Sequence, residues 1–359
     1  MKRIYIAFTV IILLSLTGCA SIGPPTVARD RFDYIEAISD SWRAQTLLNM
    51  VKIRYGDAPV FLDVASVITQ TGVTGTLAVS GTWWQNLLQL PFTSTAGITA
   101  AGTYGERPTV TYLPISGEKF ARNLMTPIPP AAILNFLQGG YPVDFVLRLT
   151  VHSINGIRSR FGAGARAREA DPEFYPLVEK LRNIQQSGEI GMRVQKSGDR
   201  VTTSIVFSKK ISPAVEAERG EVRKLLGLDP QADEFNVVYG SVSANDKEIA
   251  ILTRSMLEIL SDLASYMDVP ATDVEQKRTY PSLAQEFATG APVPPLMRIL
   301  SSPQRPDDAF AAVSYRQTWF WIDDRDFASK RLFSFIMFLF TLTDTGDKQG
   351  APIITIPAG

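Results

Sequence analysis

Val73-Thr74-Gly75-Thr76-Leu77-Ala78-Val79-Ser80-Gly81-Thr82-Trp83-Trp84 alternates: the odd positions are apolar or glycine, and most even ones carry a hydroxyl. Period two marks a strand, because successive side chains leave a pleated backbone on opposite faces. A partner follows the loop Gln85 to Phe92. Ala96, Ile98, Ala100, Gly102 and Tyr104 fall on one face, and Thr95, Gly97, Thr99, Ala101 and Thr103 on the other. No charge interrupts the chain from Ala65 to Gly105. The pattern predicts a long Gly/Thr-rich β-hairpin over 72–105, close in length to a membrane-crossing strand pair. Two readings fit it. In one, several copies pool the hairpin into an outer-membrane barrel, with Trp83, Trp84 and Tyr104 at the interfaces. In the other it is a soluble hairpin packing on the core or on a partner. A single hairpin cannot close its own edges in lipid, so the first reading requires self-association.

Upstream, Phe32, Ile35, Ile38, Trp42, Leu47 and Val51 recur at helical spacing and predict an amphipathic helix from Asp30 to about Tyr55, broken by Gly56 and Pro59. Val60 to Ile68 and Glu106 to Tyr112 read as further strands. Downstream, prolines 127, 129 and 130 lead into a helix over Ala131 to Leu137, and a second helix carries Val143 to Ile154. Asp171-Pro172 reads as the start of another. The order hairpin then helix follows twice. Ile190 to Gln195 and Val201 to Phe207 precede a helix closed by Gly227. Phe235 to Val242 and Glu248 to Leu252 precede one opened by a Ser255/Glu258 capping box. A strand around Ala312 to Ile322, a helix from Phe327 to Leu342 and a strand Ile353 to Ile356 end the chain. That last helix is apolar nearly all round and too short for a membrane span, which predicts burial in the core or against a partner.

These elements predict an α+β fold: antiparallel sheets with helices packed on one face, an N-terminal amphipathic helix and the long hairpin. The expected organisation is a signal peptide (1–18), a tether (19–29), an N-terminal α/β region (30–170) and a hairpin-helix region (171–270). A linker or wrapping loop (271–308) and a C-terminal strand-helix-strand segment (309–359) complete it.

Lys2 and Arg3 precede an apolar run from Ile4 to Leu16, the layout of a secretory signal. Leu16-Thr17-Gly18-Cys19 then resembles the lipobox of bacterial lipoproteins. The resemblance implies that Cys19, the chain's single cysteine, is acylated and becomes the mature N-terminus. The competing reading is a buried free cysteine behind an ordinary signal. Ala20 replaces the aspartate that retains enterobacterial lipoproteins at the inner membrane, which implies the outer membrane, with the body in the periplasm. Tyr34 to Gln70, Arg107 to Pro130 and Tyr315 to Pro357 also look like uncharacterised proteobacterial envelope lipoproteins, in runs such as Leu47-Leu48-Asn49-Met50-Val51, Gly117-Glu118-Lys119-Phe120 and Trp319-Phe320-Trp321-Ile322-Asp323-Asp324.

Loss of Lys2 and Arg3 with the signal leaves 34 basic against 36 acidic residues, a net charge of −2. That balance argues against nucleic acid as a partner. With Cys19 acylated, one histidine and no second cysteine, most zinc sites and all disulfides are ruled out. No catalytic set emerges and no cofactor is expected. His152 beside Ser153 on a helix would point away from it and reads as a core or capping residue. Arg158, Arg160, Arg166 and Arg168 stand around Gly162 and Gly164, either as an anion-binding loop or as a solvated one. Asp323, Asp324 and Asp326 are a weak metal candidate, against which stands capping of the following helix. The expected function is binding, as a structural or assembly component of the envelope, with the membrane and an envelope protein or a second copy as partners. The alternatives are an oligomeric pore or secretion element built by the hairpin, and a cell-wall or lipid hydrolase using Asp323 and Asp324.

Overall fold

The computed structural model describes residues 23–81, 96–163, 167–188, 190–197, 200–207, 212–283, 286–288 and 291–343. Helix α1 (Gly23–Arg54) starts earlier than expected, inside the supposed tether. Its Pro24 and Pro25 sit in the first turn, where a helix has no use for their missing N–H groups. Leu47, Met50 and Val51 are buried, whereas Phe32 and Ile35, expected on the same apolar face, are exposed. Asn49 fixes the exit from this helix: its side chain donates to Val60 O at 2.8 Å and accepts from Val60 N at 2.9 Å.

Strands β1 (Phe61–Gly81) and β2 (Ala96–Ile115) then form an antiparallel pair. The four short strands expected here are two long ones, and the hairpin begins well outside 72–105. Gly72 lies opposite Gly105, and the ladder continues through it. A bulge between Val64 and Ser66 accounts for the loose alternation at the base. Phe61–Ile115 is a compact unit of its own; Met1–Val60 and Ser116–Gly359 form the other.

In that second unit a helical turn (Gly117–Phe120) runs into a π-helical one (Ala121–Met125). Next come α2 (Pro130–Gln138), α3 (Val143–Thr150), β3 (Val151–Ile154), β4 (Ile157–Arg158) and α4 (Phe174–Gln186). His152 lies on β3 and not on a helix, because Val151 and Ile154 pair with a later strand and end α3 at Thr150. α4 begins at Phe174, three residues after the expected cap, because the Asp171 carboxylate is taken by the backbone N–H and guanidinium of Arg158. β5 (Ile190–Ser197) and β6 (Arg200–Phe207) precede α5 (Pro213–Leu226), which is capped by Ser212 and closed by Gly227 at φ 64°.

β7 (Glu234–Tyr239) and β8 (Glu248–Thr253) were expected to be a hairpin, yet they pair in parallel. β8 inserts between β7 and β3 in a six-stranded mixed sheet of order β4-β3-β8-β7-β6-β5. Its run Ile249-Ala250-Ile251 is fully buried, and a continuous apolar run of this kind suits a central strand. Ser255 and Glu258 form the expected capping box at the head of α6 (Met256–Ala264).

The supposed loop 271–308 contains α7 (Ala271–Glu275), a small pair β9 (Glu286–Ala288) and β10 (Ala291–Val293), and β11 (Leu300–Ser302). The single strand expected near the C-terminus is also two, β12 (Ala309–Tyr315) and β13 (Thr318–Asp323). Their turn places Arg316 and Gln317 at φ 47° and 67°, a left-handed turn without the usual Asn-Gly signal. With β11 they make a second sheet of order β11-β13-β12, and α1 packs on β12 and α6. In α8 (Phe327–Thr343), Leu332, Phe333, Phe335, Ile336 and Leu339 are buried, while Phe327 and Phe338 are exposed. Phe335 stacks among Phe136, Tyr141 and Phe145 at centroid distances of 4.9, 4.8 and 5.1 Å. The expected strand Ile353 to Ile356 lies outside the described residues. Among those residues no helix is long and apolar enough to cross a membrane.

Candidate functional site

The hairpin is a two-stranded sheet in which β1 and β2 pair only with each other among the described residues. Each outer edge therefore presents a row of backbone N–H and C=O groups with no strand beside it. The register brings like faces together. Val73 lies opposite Tyr104, Leu77 opposite Ala100 and Val79 opposite Ile98, while Thr74 faces Thr103, Thr76 faces Ala101 and Ala78 faces Thr99. Opposite residues of an antiparallel pair share a face. One face of the distal ladder is thus apolar or glycine, and the other is rich in hydroxyls.

Charge and proline divide the hairpin lengthwise. The ten pairs from Gly72↔Gly105 to Gly81↔Ala96 contain neither, and the first charges, Glu106 and Arg107, sit immediately below, opposite Thr71 and Gln70. Ten residues at about 3.4 Å each, tilted by about 40°, rise about 26 Å, close to the apolar band of an outer-membrane barrel. Pro108 and Pro114 fall in the basal part of β2. Proline blunts a strand edge by removing its donor, so the base is guarded against further pairing and the distal ladder is not.

The other unit holds a chamber of about 660 Å³ between its helices and the six-stranded sheet. Leu134 and Leu137 of α2, Leu147 of α3, Leu181 of α4, and Val222 and Leu226 of α5 form the walls. Ile154, Ile205, Ile249 and Ile251 of the sheet form the floor. The side chain of Gln185 closes one wall, accepting from Val143 N at 3.0 Å and donating to Leu137 O and Tyr141 O at 3.1 and 2.9 Å. At the mouth are exposed Gln138, Gly140, Arg182, Gln186 and Gly191, with Arg182 Nη1 2.9 Å from Asp144 Oδ2.

No known family model, curated protein or solved structure matches this chain.

Cys19 and Arg166 lie outside the described residues, as do Trp83 and Trp84. The other arginines of the loop have protein partners, and Arg158 and Arg168 both act on Asp171. Arg158 is paired with Asp171 at 2.9 Å, an interaction that holds the carboxyl below its usual range and raises the guanidinium. Arg160 lies over Tyr266, and Arg168 donates to His152 O at 3.2 Å, with burial lowering its pKa. The three acids before α8 act locally. Asp323 Oδ1 accepts from Arg325 N, Asp324 pairs with Lys330 at 2.6 Å, and Asp326 caps α8 through Ser329 N and Oγ. Among the described residues no three His, Cys, Asp or Glu side chains gather as metal ligands do. His152 faces Glu258, with Nε2 3.4 Å from Oε1. Its hydrogen bond, the largest influence, holds the Glu258 carboxyl at about 2, against burial acting the other way.

A buried ionic network escaped the sequence reading. Arg254 is entirely buried; its Nη1 lies 2.7 Å from Asp262 Oδ2, its Nη2 donates to Ser159 Oγ at 2.9 Å, and it reaches the carbonyls of Arg160 and Leu149. Asp262 Oδ1 accepts from Gly162 N at 2.6 Å. The network ties the 159–162 segment to β8 and α6. Neither residue breaks the apolar periodicity around it, so no pattern marked them as buried partners.

Proposed function

We propose that this chain is an outer-membrane lipoprotein, anchored through acyl chains on Cys19 with its body in the periplasm, and that it acts as an assembly component of the envelope by self-association of its hairpin. The observation that carries this reading is the distal ladder, ten charge-free and proline-free pairs with no further strand on either side among the described residues. An isolated two-stranded hairpin is marginal in water, and unpaired edges are sites of strand addition. A second copy supplies the matching edge, with β1 of one protomer beside β2 of the next. Repetition of that heterologous contact closes a ring. The second reading, an oligomeric pore, is supported by the length of the ladder and its two contrasting faces. In lipid each unpaired backbone group costs several kcal/mol, so closure between copies is a condition of insertion.

Cysteine crosslinking tests the contact in a background whose one native thiol is acylated. Protomers carrying Thr76→Cys on β1 are co-expressed with differently tagged protomers carrying Thr99→Cys or Thr103→Cys on β2. Oxidation of intact membranes is expected to give mixed dimers containing both tags. Absence of mixed dimers across a scan of neighbouring β2 positions refutes edge pairing between copies.

A further inference from the structure

We infer that the chamber between the helices and the mixed sheet is a binding site for one long aliphatic chain, such as that of a monoacyl lipid. It lies in the unit without the hairpin and does not depend on the assembly reading. The lining decides the ligand class. Apart from Phe207 its apolar side chains are aliphatic, and none of its side chains holds a buried polar atom without a partner. Gln185, half-buried in the wall, commits its amide to Val143 N, Leu137 O and Tyr141 O. Nothing inside is therefore poised to recognise a hydroxyl, an amide or a charge, and a ligand carrying one would be desolvated without compensation. A hydrocarbon chain makes no such demand.

Size and opening agree with that class. A space of about 660 Å³ falls within the ~300–1,000 Å³ usual for small-molecule sites. At roughly 30 Å³ per methylene, about the share of a water molecule in the liquid, it accommodates a chain of about twenty carbons. Among the lining residues Gln138, Gly140, Arg182, Gln186 and Gly191 are exposed, and each is polar or lacks a side chain. The chain enters there and leaves its head group in water beside the Arg182–Asp144 pair.

The test uses the full acylated chain in phosphatidylcholine vesicles with a palmitate bearing a photoreactive diazirine near its methyl end. Labelled peptides are mapped by mass spectrometry, with and without excess unlabelled palmitate. Saturable labelling is expected on α2, α3 and α5. Plugging the space should reduce it at least tenfold in Gly191→Trp, since a Cβ there meets only Val206 O at 3.8 Å, and in Leu181→Trp on the half-buried face of α4. Both variants are compared at unchanged melting temperature; two independent plugs keep the test decisive if one does not fold. Labelling that does not saturate, falls outside the chamber, or persists in a folded plug variant overturns the inference.

Discussion

Replacing Asp262 by alanine leaves the guanidinium of Arg254, at 0% exposure, without its carboxylate at 2.7 Å. The partners that remain are neutral: Ser159 Oγ and the carbonyls of Leu149 and Arg160. Gly162 N also loses the acceptor it holds at 2.6 Å. An uncompensated buried charge costs about 3–5 kcal/mol. At roughly 2–4 °C per kcal/mol for large domains, the melting temperature should fall by about 6–20 °C. Removing both charges separates the origin of this loss. Arg254→Met with Asp262→Leu eliminates the buried charge but still strands Gly162 N and the former partners of Arg254, so it should recover part of the deficit. Circular dichroism melts of the three proteins at pH 7, checked by urea midpoints at constant m, give the comparison. The reasoning is refuted if Asp262→Ala falls within about 1 kcal/mol of the wild type or the double variant is the worse of the two.

Glu258 makes the fold acid-sensitive in a defined window. Its carboxyl is depressed from 4.5 to about 2, so the stability it contributes is complete above pH 4.5 and is lost as pH falls toward 2. Glu258→Gln, which can still close the capping box, should flatten that part of the stability profile; an acid limb identical to wild type would exclude the assignment. A methyl group at Gly162 would lie 2.2 Å from Ser265 Oγ and 2.3 Å from Leu283 Cδ1, so Gly162→Ala should destabilise by about 1–3 kcal/mol. Gly220→Ala on α5, where nothing lies within 4 Å, should stabilise by about 0.5–1 kcal/mol; denaturant titrations that rank the two the other way contradict the packing around 159–162. Cys19→Ser should abolish incorporation of labelled palmitate into the chain, and retained label would end the lipoprotein reading.

The α+β class and many of its elements were legible because their signals are local. Gly227 closes α5, and Ser255 with Glu258 opens α6, as caps dictate. Period two is a local signal too, and β1 and β2 fall where the alternation lies. The misses came where a distant partner decided the outcome. Val151 to Ile154 follow α3 without a breaker and become a strand by pairing with β8. β8 runs parallel to β7 because its apolar run is buried between two neighbours, and no turn signal records that. Arg316 and Gln317 accept a left-handed turn that their side chains do not advertise. The chamber was invisible for a similar reason. Its aliphatic residues read as ordinary core, and only the spacing of the layers shows that they do not fill it.

Whether the hairpin drives assembly is decided by the native mass of the detergent-extracted protein beside a variant lacking Val73 to Tyr104. A defined oligomer that collapses to protomers when the distal ladder is removed is the expected result. The same mass per particle, in protomers, for both proteins would contradict it.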